Sequence, residues 1–78
     1  MYNLVNMKSS SETIFSSRLR EARKDAKETQ QVAADAFGIS LRGYCRWEKG
    51  EREPNYSTLV SIAEHYSVST DWLLGRTD

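Results

Sequence analysis

These 78 residues predict an all-α domain of five short helices. Three observations carry that expectation. Apolar residues recur in steps of three and four along the chain, and nothing alternates as a half-buried strand would. Thr29, Ser40 and Ser69 stand where helices would begin, because a short hydroxyl side chain can accept an orphan backbone N–H there. Gly38, Gly50 and Gly75 stand where helices would end, since glycine adopts a left-handed backbone at little cost.

The elements follow in order. Residues 1–11 have little periodicity, one charge (Lys8) and a serine triplet, so a flexible tail is expected ahead of a domain spanning 12–78. Phe15, Leu19, Ala22 and Ala26 step by four, three and four along one face of a first helix. Its outer face carries Arg18, Arg20, Glu21, Lys24, Asp25 and Lys27. Thr29 caps a second helix, on which Ala33, Ala36 and Phe37 are expected to share a face before Gly38 closes it. Ser40 caps a third helix to about Glu48, and Gly50 stops it. A loop holding Pro54, the only proline, leads to a fourth helix with Leu59, Ile62, Ala63 and Tyr66 on one stripe. Ser69 then caps a short fifth helix with Trp72, Leu73 and Leu74. Tyr44, Trp47 and Trp72 are expected as core anchors, and His65 on the exposed side of the fourth helix.

Composition narrows the function. Eleven basic residues balance eleven acidic ones, which excludes a basic coat that would grip any polyanion. One cysteine and one histidine preclude an internal disulfide and leave too few soft ligands for structural zinc, so no metal or cofactor is expected. Cys45 and His65 fall on separate helices, and no glycine-rich phosphate loop or carboxylate cluster appears, so an enzyme is not expected. No apolar run approaches the roughly 20 residues of a membrane span, and the first eleven residues lack a signal-like apolar stretch. A cytoplasmic domain is expected.

Residues 29–48 read TQQVAADAFGISLRGYCRWE, two capped helices separated by only a few residues around Gly38. So tight a turn sets them at a steep angle, as in a helix-turn-helix, where one helix braces on the DNA backbone and the other enters the major groove. From about Phe15 to Gly75 the chain resembles the lambda-repressor-like (Cro/CI, Xre) DNA-binding domains. The resemblance rests on Thr29-Gln30-Gln31, Phe37-Gly38-Ile39-Ser40, Trp47-Glu48-Lys49-Gly50 with Arg52 and Pro54, Val68-Ser69, and Asp71-Trp72-Leu73-Leu74-Gly75. No one piece is diagnostic, but five in order are.

The resemblance implies a five-helix bundle and a role for each matching position. Gln30 and Ser40 would contact DNA phosphates, with Lys49 a further backbone contact. Leu41, Arg42 and Arg46 would face base edges. Arg23 and Glu48 would form a salt bridge between the first and third helices. Relatives commonly dimerise through the last helix, which points to Thr70 and Leu73. Side-chain chemistry agrees for the arginines: Arg42 and Arg46 are neighbours at i, i+4, and a guanidinium grips O6 and N7 of guanine with two hydrogen bonds. Leu41 suits a thymine methyl, though it lies towards the Tyr44 and Glu48 side of its helix, where core packing competes. For the two arginines the bland alternative is a solvated charged face.

Several positions depart from the family pattern. Glu28 stands where an apolar residue is usual, Ala33 replaces a leucine, and Tyr44 replaces isoleucine or valine. Large Tyr44 beside small Ala33 suggests compensating volumes. Gly43 lies within the third helix, at a cost of about 1 kcal/mol against alanine. Charge is directional: residues 1–28 carry six basic and four acidic groups, 29–54 four of each, and 55–78 one basic and three acidic. With so modest a phosphate footprint, binding is expected to need a homodimer on an inverted-repeat operator. The expected function is a sequence-specific transcriptional repressor of the Cro type, with no sensing domain after Asp78 and control by concentration or a regulatory protein partner. The alternative is a protein-interaction module, such as the antitoxin of a toxin–antitoxin pair or a subunit of a larger repressor complex, using the tail or the fourth and fifth helices to cover a partner.

Overall fold

In the computed structural model, which describes residues 12–78, five helices follow one another and no strand occurs among the described residues. They are α1 (Ile14–Asp25), α2 (Gln30–Ala36), α3 (Leu41–Lys49), α4 (Tyr56–Tyr66) and α5 (Thr70–Leu73). Residues 1–11, expected as a tail and as the feature favouring a protein-binding module, lie outside the described residues. Among those described, no helix is long and apolar enough to cross a membrane.

Each helix starts on a side chain that accepts a backbone N–H. Thr29, Ser40 and Ser69 cap α2, α3 and α5 as their chemistry predicts. Asn55 does the same for α4. On α1, Thr13 and Ser16 cap reciprocally, at 3.0 Å from the Ser16 N–H to Thr13 Oγ1 and 2.8 Å from the Thr13 N–H to Ser16 Oγ. The role of Ser16 was hidden in the sequence because that position more often holds Glu or Gln.

The turn between α2 and α3 depends on Gly38, whose φ is +69°. A Cβ there would meet nothing within 4 Å, so glycine is required by the hand of the backbone and not by space. The Ile39 N–H then returns to the Ala34 carbonyl at 3.0 Å, and α3 departs at a new angle. Gly75 is constrained differently, since a Cβ would come within 2.7 Å of Ile14 Cγ2. Lys27 and Ser67 take the same left-handed turn without being glycine, at φ 60° and 56°.

Phe15 and Leu19 of α1, Ala33 and Ala34 of α2, Tyr44 and Trp47 of α3, Ile62 and Ala63 of α4 and Leu73 of α5 form one core. Phe37 packs over it, stacked on Tyr44 with centroids 6.5 Å apart. Ala33 and Tyr44 are both fully buried in this cluster, a small residue alongside a large one. Two alanines depart from the expected faces. Ala36 is exposed and Ala34 is buried in its stead, and Ala26 is exposed because α1 has already ended at Asp25. Trp72 is half-buried, with the Arg18 guanidinium 5.0 Å above its ring.

Leu73 corrects an expectation. It is fully buried, so it holds α5 onto the core and offers no surface to a second copy. Glu28, the acid in an apolar position, is matched by α4: His65 Nε2 and the Tyr66 hydroxyl each lie 2.8 Å from its carboxylate. His65 therefore bonds to Glu28 and sets its ring edge against Phe37, although much of its surface remains open.

Ile62→Ala empties a fully enclosed site and is expected to lower stability by about 2–5 kcal/mol. Ser67→Gly removes the left-handed strain at the end of α4 and is expected to raise stability by up to about 1 kcal/mol. Urea unfolding of the two variants against the parent chain checks both.

Candidate nucleic-acid interface

Helix α3 is divided lengthwise. With about 100° between successive residues, Tyr44, Trp47 and Glu48 fall on one side, and all three are buried. Arg42, Cys45, Arg46 and Lys49 share the other side, and Leu41 falls beside Glu48 at the border. Of these, Leu41, Arg42 and Lys49 are exposed, and Cys45 and Arg46 are half-buried. Leu41, in the first turn, keeps 41% of its surface open despite falling on the Glu48 side.

The inner side of α3 is tied down by a carboxylate. Glu48 is 4% exposed and receives Arg23 Nε on Oε2 at 2.7 Å and Arg23 Nη2 on Oε1 at 3.3 Å. The Tyr44 hydroxyl donates to the same Oε2, and Gln30 Nε2 donates to Oε1 at 3.1 Å. Arg23 spends its third nitrogen on the Glu28 carbonyl at 2.8 Å. Three segments thus meet at one acid, α1, the start of α2 and α3, and Arg23 ties in the α1–α2 turn as a fourth. Every side-chain polar atom buried among the described residues has a partner.

Burial alone would push the Glu48 carboxyl up, but the hydrogen bonds from Arg23, Tyr44 and Gln30 outweigh it and hold its pKa below the ordinary glutamate value. The bond to Glu48 raises Arg23 against the cost of its own burial. Burial, then the bond to Glu48, raises Tyr44, which stays a neutral donor. Tyr44 as a partner of Glu48 was missed in the sequence. The available signal was its i, i+4 spacing from Glu48, together with a phenol where an aliphatic side chain is usual.

With Glu48 engaged inward, the outer arc of α3 carries Arg42, Arg46 and Lys49 and no acid. None of the three forms an ion pair among the described residues. Ser40, at the tip of α3, accepts the Gly43 N–H at 3.0 Å and so keeps its own hydroxyl proton to donate outward. Gln30 sits half-buried at the first position of α2, bonded to Cys45 and Glu48 in the C-terminal half of α3. Gly43 is half-buried and faces sideways, where a Cβ would sit 3.3 Å from Ser40 Oγ and 3.9 Å from Ile39 Cδ1. It lines a groove with Ile39, Trp47, Arg52, Pro54 and Thr58, beside the loop leading to α4. Gln30, Ser40, Leu41, Arg42, Arg46 and Lys49 therefore lie along the α2–turn–α3 unit, and Arg23 with Glu48 lies beneath it.

This two-helix unit is matched in known proteins. A family model described as helix-turn-helix covers residues 19–73, most of the chain. The chain belongs to that family. The chain is 46% identical over 61 residues to the uncharacterized HTH-type transcriptional regulator YqaE of Bacillus subtilis, covering 78% of this chain and 53% of that protein. It is 44% identical over 59 residues to the cryptic phage CTXphi transcriptional repressor RstR of Vibrio cholerae, covering 76% and 53%. The HTH-type transcriptional regulator ImmR of Bacillus subtilis is 39% identical over 61 residues, covering 78% and 48%. The chain spans about half the length of these curated relatives.

Arg23→Ala leaves Glu48 buried without its main counter-charge and is expected to cost about 3–5 kcal/mol, measured by urea unfolding at neutral pH. Because folding depresses the Glu48 pKa, its contribution is fully present above the ordinary glutamate value of about 4.3 and is lost as the pH falls through the lower folded value. Acid unfolding of Glu48→Gln should show a shallower dependence on pH below about 4.3 than the parent chain shows.

Proposed function

We propose that this chain is the sequence-specific DNA-binding domain of a transcriptional repressor, acting as a homodimer on an inverted-repeat operator. The observation that carries the reading is the outer arc of α3, basic and acid-free, on a helix whose other side is locked to the core. The major groove admits an α-helix, and a rigid helix carrying unpaired guanidinium groups suits it. Arg42 and Arg46 would read guanines and Leu41 a thymine methyl. Gln30, Ser40 and Lys49 would hold phosphates and set the register. The relatives' names as transcriptional regulators support regulation, and that of RstR, a phage transcriptional repressor, supports repression.

The second copy would cover the apolar surface beside Thr70. Tyr56 is 85% exposed, and it shares a groove with Phe15, Pro54, Leu59 and Leu74. Pro54 also lines the groove along α3, so pairing at this surface would place the two α3 helices on either side of the two-fold axis. Two-fold symmetry would then set the half-sites about one helical turn, or about 34 Å, apart. Leu74, next to the buried Leu73, replaces it as the apolar contact from this end of the chain.

In-vitro selection from random duplex DNA at near-physiological salt tests the reading. An inverted repeat should be enriched, and Arg42→Ala and Arg46→Ala should each weaken binding to it by about 5- to 150-fold while relaxing preference at one guanine. A pool without enrichment would overturn the reading and redirect the search to protein partners. Sedimentation of Leu74→Glu should show monomer where the parent chain is dimeric on the enriched duplex. Unchanged dimer would remove this surface from the interface.

A further inference from the structure

We propose that Cys45 is a positioning residue for Gln30, fixing the side-chain amide so that one N–H is aimed outward before DNA arrives. The inference rests on the phosphate-contacting role of Gln30 proposed above. The Gln30 amide is held at both ends by α3. Its Nε2 donates to Glu48 Oε1 at 3.1 Å, and its Oε1 accepts from Cys45 Sγ at 3.5 Å. Cys45 and Glu48 are three residues apart on α3, neighbours across the border between its buried and open sides.

The Glu48 carboxylate is ionised and can only accept, so it must face the amide nitrogen and would repel the carbonyl. That contact decides which way round the amide sits but leaves it free to swing, because the terminal torsion of glutamine is broad. The thiol supplies the second point. With the oxygen held by Cys45 and one N–H held by Glu48, the plane of the amide is set. The other N–H then has a defined direction, and no partner takes it among the described residues. A phosphate oxygen would meet a donor already oriented, without the entropic cost of ordering it on binding. This is a second use of Glu48: the carboxylate that binds Arg23 also orients Gln30.

The test uses the full chain and begins without DNA. In ¹⁵N-labelled protein the two Gln30 side-chain protons should resonate apart from exposed glutamines. Cys45→Ala should move the outward proton towards exposed-glutamine positions while the one bonded to Glu48 stays apart, and Cys45→Ser, which restores a donor, should return it. Affinity for the duplex enriched by selection should fall about 3- to 10-fold in Cys45→Ala and recover in Cys45→Ser. In a Gln30→Ala background the Cys45→Ala change should cost nothing further. A thiol that merely fills space would lower stability in both backgrounds and leave the amide signals in place. Gln30 amide signals unmoved by Cys45→Ala, or an equal loss of affinity in both backgrounds, would overturn the proposal. Should the parent chain enrich no duplex, the DNA-reading function fails, and the amide signals of the free protein alone decide whether Cys45 holds Gln30.

Discussion

A single buried carboxylate organises this domain. Glu48 lies at the meeting point of α1, the α1–α2 turn, α2 and α3, and each of its oxygens accepts two hydrogen bonds. A charge taken out of water is costly unless every lone pair is met, and here Arg23, Tyr44 and Gln30 meet them together. The arrangement works only when the helices are at their native angles. Such a pair adds little net stability over a well-packed apolar substitute, but it penalises any packing in which the partners do not meet.

That constraint shapes the outer face of α3. The helix is nine residues long and would not persist alone in water. Its inner side is held by Tyr44 and Trp47 in the core and by Glu48 in the ion pair, so the arc from Leu41 to Lys49 is presented in one orientation. Engaging Glu48 inward also removes the one acid on α3 from a surface carrying Arg42, Arg46 and Lys49. The orientation and the charge of this outer face thus have a common origin.

Much of this was legible in the chain. Five helices, the caps at Thr29, Ser40 and Ser69, and the turn at Gly38 follow from short-range chemistry, and the Arg23–Glu48 pair was implied by the family resemblance. What escaped was burial at the ends of helices. Ala26 and Ala36 continue an apolar stripe by periodicity, yet the helix or its neighbour has already ended beside them. Leu73 looked like an interface residue in sequence, but the close packing of α5 against α1 and α4 leaves it no surface. Glu28 looked like a defect until α4 supplied His65 and Tyr66 from 37 and 38 residues away.

The sequence by itself determined where helices start and stop and which residue types could face DNA, because caps, left-handed turns and i, i+4 spacing act within a few residues. Only the tertiary structure decided which charges are spent and which are left over. Whether Glu48 faces inward, whether Gln30 is held by Cys45, and whether Leu73 or Leu74 reaches the surface depend on groups brought together from distant parts of the chain. Hydrogen bonding and desolvation act through space, and their outcome is set once the helices have packed.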